Sequence, residues 1–66
     1  MKDNIQEYGA FTKETGAKWA NVSVPTFAAW MKRPDFPAFK SGRRWIIPRD
    51  ALIRWMNERA EERAQL

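Results

Sequence analysis

Two adjacent arginines, Arg43 and Arg44, stand in the most basic part of this chain, directly after Gly42. The segment from Lys32 to Arg49 contains six basic residues and one acidic residue, a local charge of +5, whereas the rest of the chain has a net charge of −1. Lysine and arginine bind phosphodiester chains because they displace condensed counterions. The charge pattern therefore favours nucleic acid as a partner, against the simpler interpretation of a solvated turn.

A short hairpin is predicted to carry these arginines. Residues 38–40 and 45–47 have strand-like composition, and the latter are rich in strand formers. Residues 41–44 form the turn between them, where Gly42 can adopt positive φ. Pro48 is expected to close the hairpin. The hairpin would thus present Lys40, Ser41, Arg43 and Arg44 to a partner.

Two short helices are predicted before the hairpin. Thr12 suits the N-cap of a helix over residues 13–20, and Ser23 suits the N-cap of a helix over residues 24–32. Only three residues separate these helices, which is the arrangement of a helix-turn-helix motif. Gly16 weakens the first helix but would permit close packing of a neighbouring helix.

A third helix is predicted from Arg49 or Asp50 to near the end of the chain. The domain proper is expected to span residues 11–57, after a partly ordered lead-in of residues 1–10. The polar tail of residues 58–66 is either a frayed helix or a helix that binds a partner. The predicted fold class is mainly α with a small β-hairpin, three helices plus a wing.

Aromatic side chains are expected to build the core, since each can bury a large apolar area and the chain has no Cys for a disulfide. The predicted core consists of Phe11, Trp19, Val22, Phe27, Trp30, Met31, Phe36, Trp45, Ile47, Leu52, Trp55 and Met56.

The second helix of a helix-turn-helix enters the DNA major groove. Its outward positions here include Thr26, which can hydrogen-bond a base, and Ala29, which can contact a thymine methyl group. Lys32 and Arg33 are predicted phosphate contacts. The alternative is a structural helix whose small residues pack on another element.

The tryptophans and the first helix offer other interpretations. Tryptophans can act as stacking platforms for single-stranded nucleic acid. The helical spacing of Trp30 and Trp55 instead favours core positions, and Trp45 remains ambiguous because it adjoins the arginines. Lys13 and Lys18 are more simply explained as solvated residues than as phosphate contacts.

The composition argues against an enzyme. The chain has no His and no Cys, so the commonest general base and the thiol nucleophile are both missing. Its carboxylates are scattered, and no Gly-rich phosphate loop occurs. We therefore predict no catalytic residues, no cofactor and no metal. With neither an apolar run of membrane-spanning length nor a signal peptide, a soluble intracellular protein is expected.

From Thr12 to Met56 the chain resembles the excisionase-type helix-turn-helix domains, relatives of the MerR DNA-binding domain. The resemblance rests on NVSVPTFAAWM and on DFPAFKSGRRWIIPRDALIRWM, in which apolar, Gly, Trp and Pro positions fall in register. It implies a winged fold with the second helix in a major groove and the hairpin as a wing on the backbone or in the minor groove. The contacts that it implies are Thr26, Ala29, Lys32 and Arg33 on the helix, and Arg43 and Arg44 on the wing.

Relatives usually carry long basic or aromatic residues where this chain has Pro25, Ala28 and Ala29. This difference predicts weak direct base readout by the helix, with DNA shape supplying part of the discrimination.

A free-standing domain of this size resembles a phage or mobile-element excisionase, or a small AlpA-like regulator. An excisionase binds and bends double-stranded DNA beside an attachment site and promotes integrase-mediated excision. The implied partners are double-stranded DNA, a tyrosine-type integrase and neighbouring copies of the chain, in the cytoplasm of a bacterial host and without a membrane. The alternatives are a transcriptional regulator, the DNA-binding part of a phage packaging protein, and a protein-interaction or inhibitor module that uses the polar tail.

Overall fold

A computed structural model of the chain describes residues 9–66. Of the predicted lead-in, residues 1–8 lie outside the described part. Three helices and a small antiparallel sheet confirm the predicted fold class. Their order is β1 (Ala10–Phe11), α1 (Lys13–Ala20), α2 (Val24–Met31), β2 (Phe39–Ser41), β3 (Arg44–Pro48) and α3 (Arg49–Glu62).

The caps of α1 and α2 lie where the sequence predicts them. The Thr12 hydroxyl accepts a hydrogen bond from the backbone N–H of Thr15, and the Thr15 hydroxyl accepts one from the N–H of Thr12. Asn21 ends α1 in the left-handed conformation, with φ of 64°. The Ser23 hydroxyl caps α2. These caps satisfy N–H groups at the helix starts and fix the short corner between the helices.

The sheet contains a strand that the sequence analysis missed. β3 is the central strand, and it pairs antiparallel with β2 on one side and with β1 on the other. Ala10 pairs with Pro48 and Phe11 with Ile47. Pro48 therefore does not simply close the hairpin, because it extends β3 and is also the N-cap residue of α3. A two-residue strand carries almost no periodicity, so its pairing could not be predicted locally.

The core lies between the helices and the inner face of the sheet. The buried hydrophobic residues are Phe11, Ala17, Phe27, Phe36, Ile47, Leu52 and Trp55. Around this core pack partly exposed hydrophobic residues that were also predicted to be core residues, namely Trp19, Val22, Trp30, Met31 and Met56. The prediction of Trp45 as a core residue is wrong, because its side chain is 46% exposed.

A chain of aromatic contacts ties α2 to α3. Phe27 and Trp55 both contact Phe36 edge to face, with ring centroids 5.6 and 5.0 Å apart respectively. Trp30 lies 5.5 Å from Trp55, centroid to centroid. Edge-to-face pairs of this kind add to the stability that area burial provides. The segment after α2 is therefore anchored by Phe36, which places the hairpin relative to α2.

An ion-pair cluster supports the same connection at the surface. Arg59 of α3 donates a hydrogen bond of 2.7 Å to Asp35, and Arg33 donates one of 3.3 Å to the other oxygen of that carboxylate. The Arg59 guanidinium also lies 5.3 Å from the centre of the Trp55 ring.

α3 continues to Glu62, so the predicted tail begins inside this helix. In the part of the chain that the structure describes, no helix is long and apolar enough to span a membrane.

Candidate nucleic-acid interface

The exposed face of α2 begins at its N-cap. The Ser23 hydroxyl accepts a hydrogen bond from the Thr26 N–H and donates one of 2.9 Å to the Thr26 hydroxyl oxygen. Since that oxygen acts as an acceptor for Ser23, the Thr26 O–H proton can still be donated to a partner. Ala29, one turn further along, is also exposed. The start of α2 thus presents one hydrogen-bond donor and small apolar groups to solvent.

The two basic residues after α2 lie in different surroundings. Lys32 is the C-cap residue of α2 and is exposed. Arg33 is paired with Asp35, which also holds Arg59. A phosphate contact by Arg33 would therefore compete with an existing ion pair, whereas no such pair involves Lys32 among the described residues.

The cluster around Asp35 is electrostatically polarised. The pKa of the Asp35 carboxyl lies below its ordinary value, because the desolvation that raises it is outweighed by the Trp55 indole N–H, the Asp35 backbone and the guanidinium groups of Arg33 and Arg59. Within the described residues, the Trp55 indole nitrogen makes no hydrogen bond of ordinary length and angle. We therefore ascribe the lowered pKa of Asp35 to its backbone hydrogen bond and to the two ion pairs with Arg33 and Arg59.

The hairpin tip is a two-residue turn, Gly42 and Arg43, closed by the pairing of Ser41 with Arg44. Gly42 has φ of 64°, and positive φ at the first turn residue is what a type II′ hairpin requires. All four residues are exposed. The structure thus brings together Ser41, Arg43 and Arg44, as the sequence analysis predicts.

Lys40 and Trp45 face each other across the hairpin. They are register partners in β2 and β3, and the Lys40 ammonium lies 5.7 Å from the centre of the Trp45 ring. Such a cation–π contact holds the indole beside positive charge while much of its surface stays in water. Trp45 and Ile47 share a face of β3 by the alternation of a strand, yet only Ile47 reaches the core.

A solvent-open groove connects the hairpin with both helices of the helix-turn-helix. It consists of two adjoining hollows that share Lys13, Met31 and Trp45. One hollow extends towards the hairpin tip at Arg43 and Arg44, and the other extends along α2. We call this feature the wing groove. It makes α2 and the hairpin two walls of one surface.

Lys13 and Trp45 are among the groove residues that the sequence analysis did not place at the interface. Lys13 is the first residue of α1, and the packing of α1 on α2 and β3 brings it to the groove. The signal available for Trp45 was its position between two arginines and two isoleucines, at the border of a charged and an apolar run. Lys18, which was expected to be solvated, lies on α1 and is exposed.

Comparison with known proteins adds one match. A family model described as a helix-turn-helix domain matches residues 11–60, which is most of the chain. No match was found among curated proteins or among solved structures.

Proposed function

The chain belongs to the helix-turn-helix domain family, a family of excisionase- and AlpA-like DNA-binding domains, and from this premise we propose that it is a small architectural protein that binds and bends double-stranded DNA. In this proposal α2 enters the major groove, and the hairpin lies as a wing along the neighbouring backbone or in the minor groove.

The observation that carries the proposal is that α2 and the arginine-bearing hairpin tip border one open groove. A duplex that meets α2 would therefore also meet Arg43 and Arg44. Both guanidinium groups are on exposed residues, where phosphate can reach them. The two contacts support each other, since the helix orients the domain and the wing adds electrostatic affinity.

The side chains of α2 favour recognition by shape over a direct base code. Thr26 is the exposed hydrogen-bond donor of the first turn, while Pro25 and Ala29 offer only apolar contact. Neither Arg, Asn nor Gln occurs in α2 to make a bidentate base contact. Small side chains let the helix approach the base edges closely, so that the deformability of the duplex contributes to site choice.

The specific role that we propose is that of an excisionase, which directs an integrase towards excision of an integrated element. Lys32, Lys40, Arg43 and Arg44 would contact phosphates, and Arg33 would do so when released from Asp35. In this role the chain would act with a tyrosine-type integrase and with neighbouring copies of itself. A transcriptional regulator with the same contacts is the alternative, because fold and surface do not separate the two roles.

Selection of bound sequences from a random duplex pool tests this role, followed by measurement of the bend in the selected site. Fluorescence energy transfer between the two ends of the duplex reports the bend. We expect the protein to bring the ends closer, and tandem sites to be filled cooperatively. Specific binding to a site that stays straight would contradict the architectural role while leaving DNA binding intact.

A further inference from the structure

Trp45 is the large aromatic side chain in the wing groove. Its exposed surface is not isolated, because the groove continues from the indole to Met31 and Ala28 of α2. Exposed apolar surface that is rimmed by polar residues is typical of interaction sites and ligand-binding grooves.

The rim of the wing groove is strongly cationic. Lys13 and Lys32 stand on the side of α1 and α2, and Arg43 and Arg44 stand on the side of the hairpin. The acidic side chain among the lining residues is that of Glu14. The occupant must therefore combine dense negative charge with apolar surface at short intervals. A sugar–phosphate backbone has this pattern, since each deoxyribose lies between two phosphates.

We propose that the wing groove seats one strand of the duplex, with Trp45 and Met31 against deoxyribose and with Lys13 and Lys32 on the flanking phosphates. This inference rests on the proposed DNA binding and assigns a contact to a residue that the charge pattern alone would leave out. Trp45 is a binding residue here through apolar contact, and Lys40 holds its ring in place by the cation–π contact.

The chain contains a matched control for Trp45. Phe39 is also an exposed aromatic residue of the hairpin, at 53% exposure. It precedes Lys40 in β2, so strand alternation places it on the face opposite to Trp45. Removal of the Phe39 ring should therefore leave DNA binding unchanged, although it removes a similar amount of exposed apolar surface.

The test measures fluorescence anisotropy of a labelled mixed-sequence duplex with the full chain at several salt concentrations. We expect Trp45→Ala to weaken binding about tenfold, through loss of apolar contact, with the salt slope unchanged because no phosphate contact is removed. Trp45→Leu should bind within about threefold of the parent chain, since it retains apolar contact. Lys13→Ala and Lys32→Ala should each lower the slope by about one unit.

Each other outcome has a defined meaning. If Trp45→Ala binds like the parent while Arg43→Ala weakens binding, the wing-groove assignment is wrong and DNA binding stands. If Trp45→Leu is as weak as Trp45→Ala, the indole stacks on a base and the deoxyribose contact is wrong. If the parent chain binds no duplex at low salt, the proposed function itself fails. Circular dichroism melts establish that each variant is folded at the assay temperature, and Trp45→Gln, which also removes the apolar contact and for which the same tenfold loss is expected, serves if Trp45→Ala is not.

Discussion

Gly16 of α1 lies directly against the ring of Phe27 of α2. A Cβ atom at Gly16 would come within 2.7 Å of Phe27 Cζ and 2.9 Å of Cε2, closer than atoms in proteins pack. Phe27 is fully buried, so its ring cannot turn out into solvent and neighbouring core residues must shift with it. This contact sets the distance between the two helices, and with it the position of α2 relative to the wing groove.

Gly16→Ala is therefore expected to destabilise the fold. Overpacking costs about 1–3 kcal/mol, while the better helix propensity of Ala offsets about 1 kcal/mol. Urea unfolding should show a net loss, and Gly9→Ala should show almost none because a Cβ there meets nothing within 4 Å. The loss should shrink in a Phe27→Leu background, where the ring is absent. An equal loss in both backgrounds would show that another contact is responsible.

Trp55 and Trp45 should differ sharply in their effect on stability. Trp55 is 4% exposed and contacts Trp30 and Phe36, whereas Trp45 is about half exposed. We expect Trp55→Ala to cost about 3–5 kcal/mol, a large part of the stability of a small domain. Thermal melts should show a much smaller loss for Trp45→Ala. Comparable losses would mean that Trp45 contributes to the core after all.

Asp35 should make the fold sensitive to acid. Its pKa lies below the ordinary value of 3.8, so the folded state favours the charged carboxylate and gains stability from it at neutral pH. That contribution is lost as the pH falls through the pKa in the folded state. Asp35→Asn should therefore be less stable than the parent at pH 7, and the difference should narrow below about pH 4. A difference that persists at low pH would exclude the ion pairs as its cause; Glu61→Gln serves as the exposed control.

Thr26 is expected to contribute to discrimination between DNA sites and not to general affinity. Thr26→Val retains shape and β-branching but removes the O–H donor. Competition between the selected site and random duplex should show that the preference for the selected site falls about fivefold, which corresponds to the loss of one hydrogen bond. The salt slope should stay the same, since Thr26 carries no charge and releases no counterion. An equal loss of affinity for the selected site and for random duplex would instead place Thr26 on the backbone.

Local patterns were sufficient to predict most of this fold. Thr12, Ser23 and Asn21 determine helix ends through bonds to nearby residues, so the sequence reveals them. The strand Ala10–Phe11 could not be predicted because its partners, Ile47 and Pro48, lie far along the chain. The prediction of Trp45 as a core residue failed for a related reason. The strand around Trp45 has the composition of a core strand, and only the extent of the core decides which of its side chains are exposed.

The candidate site was predicted in part. The hairpin arginines follow from charge and turn chemistry. The wing groove does not, because it depends on the packing of α1, α2 and β3 around Gly16 and Phe27. The pairing of Asp35 with Arg59 likewise joins residues that are distant in sequence. Such long-range contacts leave no periodic signal in the sequence.

The most direct test of the account compares two double variants that remove the same charge. Arg43→Ala/Arg44→Ala alters the wing tip, and Arg54→Ala/Arg63→Ala alters α3 and its C-cap. Anisotropy of a labelled duplex is measured for both across a salt series. We predict weaker binding and a slope lower by about two units for the wing variant, one per lost phosphate contact, and little change for the α3 variant. Equal effects of the two variants would contradict a wing-mediated DNA interface.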